Sequence, residues 1–271
     1  MSYKLICTDM DGTLLKDDKQ ISKATLDTIA KAHEKGVKLA ITTGRIFVSA
    51  KYYAHLIGVK APVIASNGAY VRDGNNVIYQ CILGKESCNE ILSIFKKYDL
   101  IPHLYTTDSL YTSNRKYTSQ FYEKGNKLVP KDYRINIEKI DDWQKLIESE
   151  GDNILKAVAI DDDLEKLKKA KEEFKALGKY EVVSSFSCNF ELMNKEVSKG
   201  KAVERLTKYY NLTKDEVIAI GDNENDLSMI EYAGLGVAME NGEEIVKKSA
   251  NYITSSNEDD GVRKVIEKFV L

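Results

Sequence analysis

The stretch YKLICTDMDGT (residues 3–13) is a short apolar run that ends in two aspartates and a glycine. The run YKLICT predicts a buried β-strand. Asp9 and Asp11 follow at positions i and i+2, so they would project to the same side about 6.6 Å apart if the strand stayed regular. Two unpaired carboxylates this close are costly, whereas Gly12 and Thr13 suit a simple turn. The stretch therefore indicates either a turn after a strand or an acidic site.

Strand-like and helix-like patterns alternate after this stretch. Ser22 can cap a helix that ends near Gly36, and strands at 37–42 and 62–66 enclose a second helix at about 46–57. Such a βαβαβ rhythm predicts an α/β fold with a parallel sheet and helices on both faces. Ligands of such a sheet bind beyond the carboxyl ends of its strands.

The middle of the chain has a different pattern. Asn67-Gly68 is a hairpin signal, and residues 100–195 mix short tyrosine-rich strands with helices, one of them near 115–124. The first rhythm returns after Lys199. We therefore expect an inserted α+β domain.

Length and composition narrow the class of protein. The 271 residues, 43% hydrophobic and 30% charged, suit a soluble globular chain of two unequal domains. The net charge of −2 predicts no strong global attraction to nucleic acid or anionic membranes. The first residues lack a secretory apolar region, no stretch is long enough to span a membrane, and the four cysteines show no CxxC spacing. We expect a cytoplasmic protein with buried thiols; the sequence indicates no oligomeric state.

A second acidic stretch, GDNENDLSMI (residues 221–230), follows the apolar run VIAI as Asp9 follows LICT. Neither stretch fits a calcium loop: counted from Asp9, glycine comes fourth and the twelfth residue is Gln20. A divalent cation would offset the repulsion between carboxylates at two strand ends. Mg²⁺ needs only one or two protein carboxylates, and substrate phosphate can complete its coordination shell. The pattern thus favours phosphate chemistry.

Two further stretches carry anion-binding groups. In ITTGR, the hydroxyls of Thr42 and Thr43 and the amide of Gly44 can donate hydrogen bonds to an anion at a helix N-terminus, although an ordinary helix cap explains this stretch better when it is taken alone. In VSKGKA, Lys199 stands at a predicted helix start. A lysine in such a place is usually exposed to solvent.

Together and in this order, the four stretches resemble the motifs of the haloacid dehalogenase superfamily. The large insertion and Asn67-Gly68-Ala69 are similar to Cof-type phosphatases with a C2 cap. The resemblance spans the full length. It implies a Rossmann-like catalytic core at 1–83 and 197–271 and a substrate-selecting cap at 84–196.

The resemblance also implies a role for each motif residue. Asp9 would be the nucleophile that forms an aspartyl-phosphate, and Asp11 would protonate the leaving alcohol and later deprotonate the attacking water. Mg²⁺ would be held by Asp9, the main-chain carbonyl of Asp11 and Asp222, with Asp226 binding through water or orienting the ligands. Phosphate oxygens would be bound by the Met10 amide, Thr43, Gly44, Lys199 and Asn225.

The expected function is a Mg²⁺-dependent phosphatase of small phosphorylated metabolites, such as sugar phosphates or phosphorylated cofactors. A phosphomannomutase-like phosphotransferase is one alternative, and a non-catalytic protein that binds phosphorylated metabolites is another. In the inserted domain, several side chains are candidates for contacting the leaving group, although packing is the more frequent role of buried aromatic rings. These candidates are Tyr105, Tyr111, Arg115, Lys116, Tyr117 and Tyr122.

Overall fold

The computed structural model describes residues 3–271, which form two compact units. Unit 1 comprises the described residues as far as Gly44, together with Tyr53–Tyr79 and Ser198–Leu271, and unit 2 comprises Arg45–Tyr52 and Gln80–Val197. The division into a catalytic core and a cap, with boundaries at 83/84 and 196/197, stays a prediction.

The first part of the chain alternates strands with helices and then forms a hairpin. Ser22 Oγ accepts a hydrogen bond from the Thr25 amide (3.1 Å) and so caps the first helix, as predicted. The elements are β1 (Leu5–Thr8), α1 (Lys23–Glu34), β2 (Lys38–Thr42), α2 (Phe47–Leu56), β3 (Val63–Ala65), β4 (Tyr70–Asp73) and β5 (Asn76–Gln80).

The middle of the chain mixes antiparallel strands with longer helices. The helix expected near 115–124 begins only at Thr118, because Tyr117 has a φ of +53°, which no right-handed helix accommodates. The elements are α3 (Lys85–Lys97), β6 (His103–Tyr105), β7 (Ser109–Thr112), α4 (Thr118–Asn126), β8 (Asn136–Lys139), α5 (Trp143–Glu150), β9 (Lys156–Ile160), α6 (Leu164–Leu177), β10 (Tyr180–Val183) and β11 (Asn189–Asn194).

The last part returns to alternation. Ser198 Oγ accepts a hydrogen bond from the Lys201 amide (3.1 Å) and caps the helix that begins at Lys199. The elements are α7 (Lys199–Tyr209), β12 (Val217–Gly221), α8 (Leu227–Tyr232), β13 (Leu235–Ala238), α9 (Glu244–Ser249), β14 (Tyr252–Ile253) and α10 (Gly261–Phe269).

The sheet of unit 1 has β1 near its centre, in the order β14-β13-β12-β1-β2-β3-β4-β5. Strands β12 and β2 flank β1 and run parallel to it, with Thr8 opposite Ile220 on one side and Ile41 on the other. All four residues of β1 are buried, as expected of a strand covered on both faces. The predicted α/β fold with a parallel sheet is confirmed. Because the three strands end side by side, the residues after each of them meet at one edge.

The sheet of unit 2 is mostly antiparallel, in the order β10-β11-β9-β6-β7-β8. Its core contains three phenylalanines that are fully buried, Phe95, Phe174 and Phe190. The ring centroid of Phe95 lies 5.8 Å from that of Phe174 and 6.1 Å from that of Phe190, both with edge-to-face geometry. Aromatic pairs of this geometry add to the stabilisation that burial provides.

The structure also describes the thiols and the apolar character of the helices, for which the sequence predicts buried cysteines and no membrane-spanning segment. All four cysteines are free thiols; Cys7 and Cys88 are buried, whereas Cys81 and Cys188 are partly exposed. Between residues 3 and 271, no helix combines the length and the apolar character that crossing a membrane requires.

Substituting Phe95→Ala is expected to lower the free energy of unfolding of unit 2 by about 3–5 kcal/mol, because it opens a cavity among the packed rings. The single tryptophan, Trp143, packs against this core and reports on it by fluorescence during urea unfolding. Leu128→Ala is the control, because Leu128 is 83% exposed and its truncation leaves no cavity. Equal unfolding midpoints for the two variants would contradict the assignment of this core.

Candidate active site

Three buried carboxylates meet where β1 and β12 end. Asp9 directly follows β1, and its amide donates a hydrogen bond to the carbonyl of Ile220 in β12 (2.9 Å). Asp222 directly follows β12, and Asp226 lies one turn further along the same loop. One oxygen from each of the three carboxylates lies within 4.8 Å of the others. The sheet topology thus brings both predicted acidic motifs into one cluster.

Lys199 is buried within this cluster, with 1% of its surface exposed. Its ammonium nitrogen donates to Asp9 Oδ1 at 2.7 Å and to Asp226 Oδ1 at 2.5 Å. The next residue, Gly200, allows α7 to approach α8, since a Cβ there would lie 2.2 Å from the carbonyl oxygen of Ser228. Lys199 is therefore a fixed positive charge between two carboxylates.

Asp226 holds two parts of the site together. Besides accepting from Lys199 through Oδ1, it accepts from the amides of Asp222 (2.9 Å) and Asn223 (3.0 Å) through Oδ2. A Cβ on Gly221 would lie 2.5 Å from the Cβ of Asp226, so only glycine fits beside it. The carboxylate of Asp226 thereby orders the loop that carries Asp222.

Asp222 is oriented by its own set of donors. Thr13 Oγ1 donates to Asp222 Oδ1 at 2.6 Å, and Asn223 Nδ2 donates to Asp222 Oδ2 at 2.7 Å. Gly12 has a φ of +79°, and a Cβ on it would lie 2.5 Å from Asp222 Oδ2. From the sequence, a turn alone explains Gly12 and Thr13. The structure shows that Thr13 also orients the Asp222 carboxylate and that Gly12 leaves space for it.

The charges of the cluster favour a bound cation. Burial raises the pKa of Asp9 to about 7, against the attraction of Lys199. Burial and the carboxylates of Asp9 and Asp226 raise the pKa of Asp222 to about 8. Burial alone would lower the pKa of Lys199, but Asp226 and Asp9 outweigh it and raise that pKa above its ordinary value. One ammonium does not balance three carboxylates, so their oxygens fit a hard divalent cation.

Asp11 lies apart from the three-carboxylate cluster. It is half-buried, and its Oδ1 accepts a hydrogen bond from Lys19 Nζ at 3.0 Å. Met10, between the two aspartates, is fully buried, and its carbonyl accepts from the amide of Leu15 (2.8 Å), which turns the loop after β1 back on itself. The two aspartates of the opening motif thus have different surroundings.

The remaining predicted anion-binding residues follow the ends of β2 and β12. Thr43 is buried after β2, where its amide donates to the carbonyl of Ile64 (2.8 Å), and Gly44 follows it. Asn225 is buried in the loop after β12, and its Nδ2 donates to Asn67 Oδ1 at 3.1 Å. Asn67 contacts the predicted site residue Asn225, although the sequence assigns it no role, since the Asn-Gly pair is a sufficient signal for a hairpin.

The aromatic candidates of the inserted segment divide into packed and exposed residues. Tyr105, Tyr111 and Tyr122 are buried, and the rings of Tyr105 and Tyr122 lie 6.3 Å apart within unit 2. Tyr117 is partly exposed, and its hydroxyl donates to Asp162 Oδ2 at 3.3 Å. Arg115 and Lys116 are exposed, and Arg115 Nη1 lies 3.2 Å from Glu123 Oε1. Tyr111 belongs to one hydrophobic core of unit 2, and Tyr105 and Tyr122 belong to another.

Comparison with known proteins agrees with this geometry. A family model of haloacid dehalogenase-like hydrolases matches residues 6–266. The chain belongs to this family. Among its relatives is 5-amino-6-(5-phospho-D-ribitylamino)uracil phosphatase YcsE of Bacillus subtilis (strain 168), 33% identical over 100% of this chain and 97% of the relative. The phosphatase YwpJ of the same organism is 28% identical over 97% of this chain and 99% of the relative.

A solved structure supports the same assignment. The haloacid dehalogenase-like hydrolase from B. subtilis has a TM-score of 0.87 and 27% sequence identity, and the match covers 98% of this chain and 100% of that one. The predicted family and fold are confirmed. As a haloacid dehalogenase-like hydrolase, the chain is a phosphatase that acts on phosphorylated substrates.

Substituting Thr13→Val is expected to weaken the affinity for a divalent cation by about tenfold, because it removes the hydroxyl that orients Asp222 while keeping the side-chain shape. Titration calorimetry with Mg²⁺ measures this affinity. Thr28→Val is the matched control. Thr28 is also buried, and within the described residues its hydroxyl donates a hydrogen bond only to the carbonyl of Ala24 in α1. Unchanged affinity in the Thr13 variant would contradict the inference that Thr13 orients Asp222 for a cation.

Proposed function

We propose that the chain is a Mg²⁺-dependent phosphatase of small phosphorylated metabolites that works through an aspartyl-phosphate on Asp9. The observation that carries this proposal is the buried Asp9 carboxylate, held at 2.7 Å by Lys199 in one cluster with Asp222. A nucleophile must be fixed in orientation, and its charge must be offset before a phosphate dianion can approach it. Asp9 meets both requirements.

The cation would be held by the side chains of Asp9 and Asp222 and the main-chain carbonyl of Asp11. Asp226 would support these ligands without binding the cation directly. When bound, Mg²⁺ supplies positive charge that reduces the repulsion between carboxylate and phosphate. Asp226 is already engaged by Lys199 and by the amides of Asp222 and Asn223. Its contribution in this proposal is to keep Lys199 and the loop in place.

The first chemical step joins an Asp9 carboxylate oxygen to phosphorus while the bond from phosphorus to the leaving alcohol oxygen breaks. Asp11 donates the proton that this alcohol oxygen requires. In the second step a water molecule attacks phosphorus, the bond from Asp9 to phosphorus breaks, and Asp11 takes the proton from the water. Asp11 is half-buried and is not among the three carboxylates of the buried cluster, so in this proposal its carboxyl group is left for proton transfer.

The transferred phosphoryl group would be held by donors from the three strand ends. Lys199 offers its ammonium group, and the other donors are the Met10 amide, Thr43, Gly44 and Asn225. Met10, Thr43, Gly44 and Asn225 follow β1, β2 and β12, which lie side by side in the sheet, whereas Lys199 begins α7. Donors placed in advance stabilise the charge that develops on the phosphoryl oxygens.

The relatives and the net charge of the chain support small phosphorylated metabolites as the substrate class. The similarity to YcsE makes 5-amino-6-(5-phospho-D-ribitylamino)uracil a first substrate to examine, together with sugar phosphates. The net charge of −2 gives no general attraction to nucleic acid, and we propose a cytoplasmic enzyme with a small phosphorylated partner. A phosphotransferase uses the same first step but passes the phosphoryl group to an alcohol. The acceptor in the second step, water or an alcohol, therefore distinguishes a phosphatase from a phosphotransferase.

Substituting Asp9→Asn is expected to lower kcat for hydrolysis of an aryl phosphate by at least about 10³-fold, since the amide cannot serve as nucleophile. The control is Asp17→Asn in the same loop, where the exposed Asp17 has no assigned chemical role. Released inorganic phosphate measures both variants. Activity retained in Asp9→Asn would rule out the covalent route.

Removal of divalent cations with a chelator is expected to abolish this hydrolysis, and Mg²⁺ should restore it, because the carboxylates otherwise repel the substrate. Activity that persists without divalent cations would overturn the proposed metal dependence.

Adding glycerol as acceptor tests for the alternative phosphotransferase activity. A hydrolase releases one inorganic phosphate per alcohol formed, whereas a phosphotransferase releases less phosphate and forms glycerol phosphate.

A further inference from the structure

The turn Ser66–Gly68 has backbone geometry that ordinary residues avoid. Its three successive residues all have positive φ, +48° for Ser66, +56° for Asn67 and +100° for Gly68. Left-handed backbone is unfavourable for residues with a Cβ, although asparagine tolerates it better than most. Such strain persists only where the surrounding structure holds it.

Contacts with two predicted site segments hold this turn. The amide of Asn67 donates to the carbonyl of Thr43, at the end of β2, at 3.0 Å. A Cβ on Gly68 would lie 2.5 Å from the carbonyl oxygen of Ser198, the residue before Lys199. The turn is therefore packed between the segment that carries Thr43 and the start of α7.

The side chain of Asn67 reaches a third segment. Asn67 is 1% exposed, and its Oδ1 accepts from Nδ2 of the buried Asn225 at 3.1 Å. A primary amide has two hydrogens on nitrogen, so this bond uses one and leaves the second to bind another acceptor. Rotation of the Asn225 amide by half a turn would place two carbonyl oxygens against each other. As long as Asn67 presents its oxygen, the contact fixes which end of the Asn225 amide is the donor.

We propose that Asn67 is a positioning residue, which holds the amide of Asn225 so that its nitrogen donates to a phosphoryl oxygen. This inference rests on the proposed function in taking Asn225 as a phosphate-binding residue. Glycine at position 67 would accept the same backbone conformation, but it would lack the acceptor. Asparagine combines tolerance of positive φ with the oxygen that Asn225 requires.

A double-mutant cycle on inorganic phosphate binding tests the proposal. Titration calorimetry with Mg²⁺ present gives the dissociation constant for the wild type, Asn67→Gly, Asn225→Ala and the double variant. We expect Asn67→Gly to weaken phosphate binding by about tenfold. In the Asn225→Ala background, Asn67→Gly should change the dissociation constant by less than about twofold, because the group that it positions is already gone.

The matched control for the backbone is Asn211→Gly. Asn211 also has positive φ (+55°), but it is exposed in the turn after α7. This variant should bind phosphate like the wild type, and its melting temperature shows what the same replacement does to stability. The ratio kcat/KM with an aryl phosphate should follow the phosphate affinities in all variants.

The outcomes separate this inference from the proposed function. Unchanged phosphate binding in Asn67→Gly, or the same tenfold loss in the Asn225→Ala background, would overturn the positioning role while hydrolysis by the wild type stands. Wild-type protein that binds phosphate with the expected coupling but hydrolyses no phosphate ester would instead overturn the phosphatase proposal alone. If the wild-type protein binds no phosphate, the positioning role is overturned, because Asn225 then has no phosphoryl oxygen to bind.

Discussion

The buried contact of Lys199 with Asp9 and Asp226 is the interaction on which the site depends. The lysine nitrogen lies 2.7 Å from one carboxylate and 2.5 Å from the other, and all three side chains are almost completely shielded from water. A buried charge is costly unless it is paired and hydrogen-bonded. The start of α7 must therefore lie against the ends of β1 and β12, which places the predicted nucleophile beside its counter-charge.

Close backbone approach makes this arrangement possible. Gly12, Gly200 and Gly221 each stand where a Cβ would lie within 2.6 Å of an atom of a neighbouring segment. These glycines allow the loops after β1 and β12 and the start of α7 to converge, so that side chains rather than backbone fill the site. The dense packing explains why one ammonium faces three carboxylates in so small a volume, and why a cation suits their chemistry.

Sequence patterns predict the parallel sheet and the convergence of Asp9 and Asp222, because parallel strands end at one edge and the two acidic motifs follow those ends. Only the family resemblance places Lys199 with them, since a lysine at a helix start is usually exposed to solvent. They do not predict the partnership of Asn67 with Asn225, since the two are 158 residues apart and the Asn-Gly pair is explained locally by a turn. The late start of α4 depends on the backbone of Tyr117, which no periodicity reveals. Sequence patterns also do not predict which tyrosines of the inserted segment are buried, and the structure shows burial for Tyr105, Tyr111 and Tyr122.

The central position of β1 also has a consequence for the order in which the molecule is made. Asp9 meets a lysine 190 residues further on, and Thr13 meets an aspartate 209 residues further on. While the chain is being synthesised, β1 has no β12 to pair with, and its acidic motif has no buried counter-charge until most of the chain has been made. The candidate active site is therefore a product of the completed sheet, and a nascent chain that stops short of Asp226 carries the proposed nucleophile without the groups that would make it reactive.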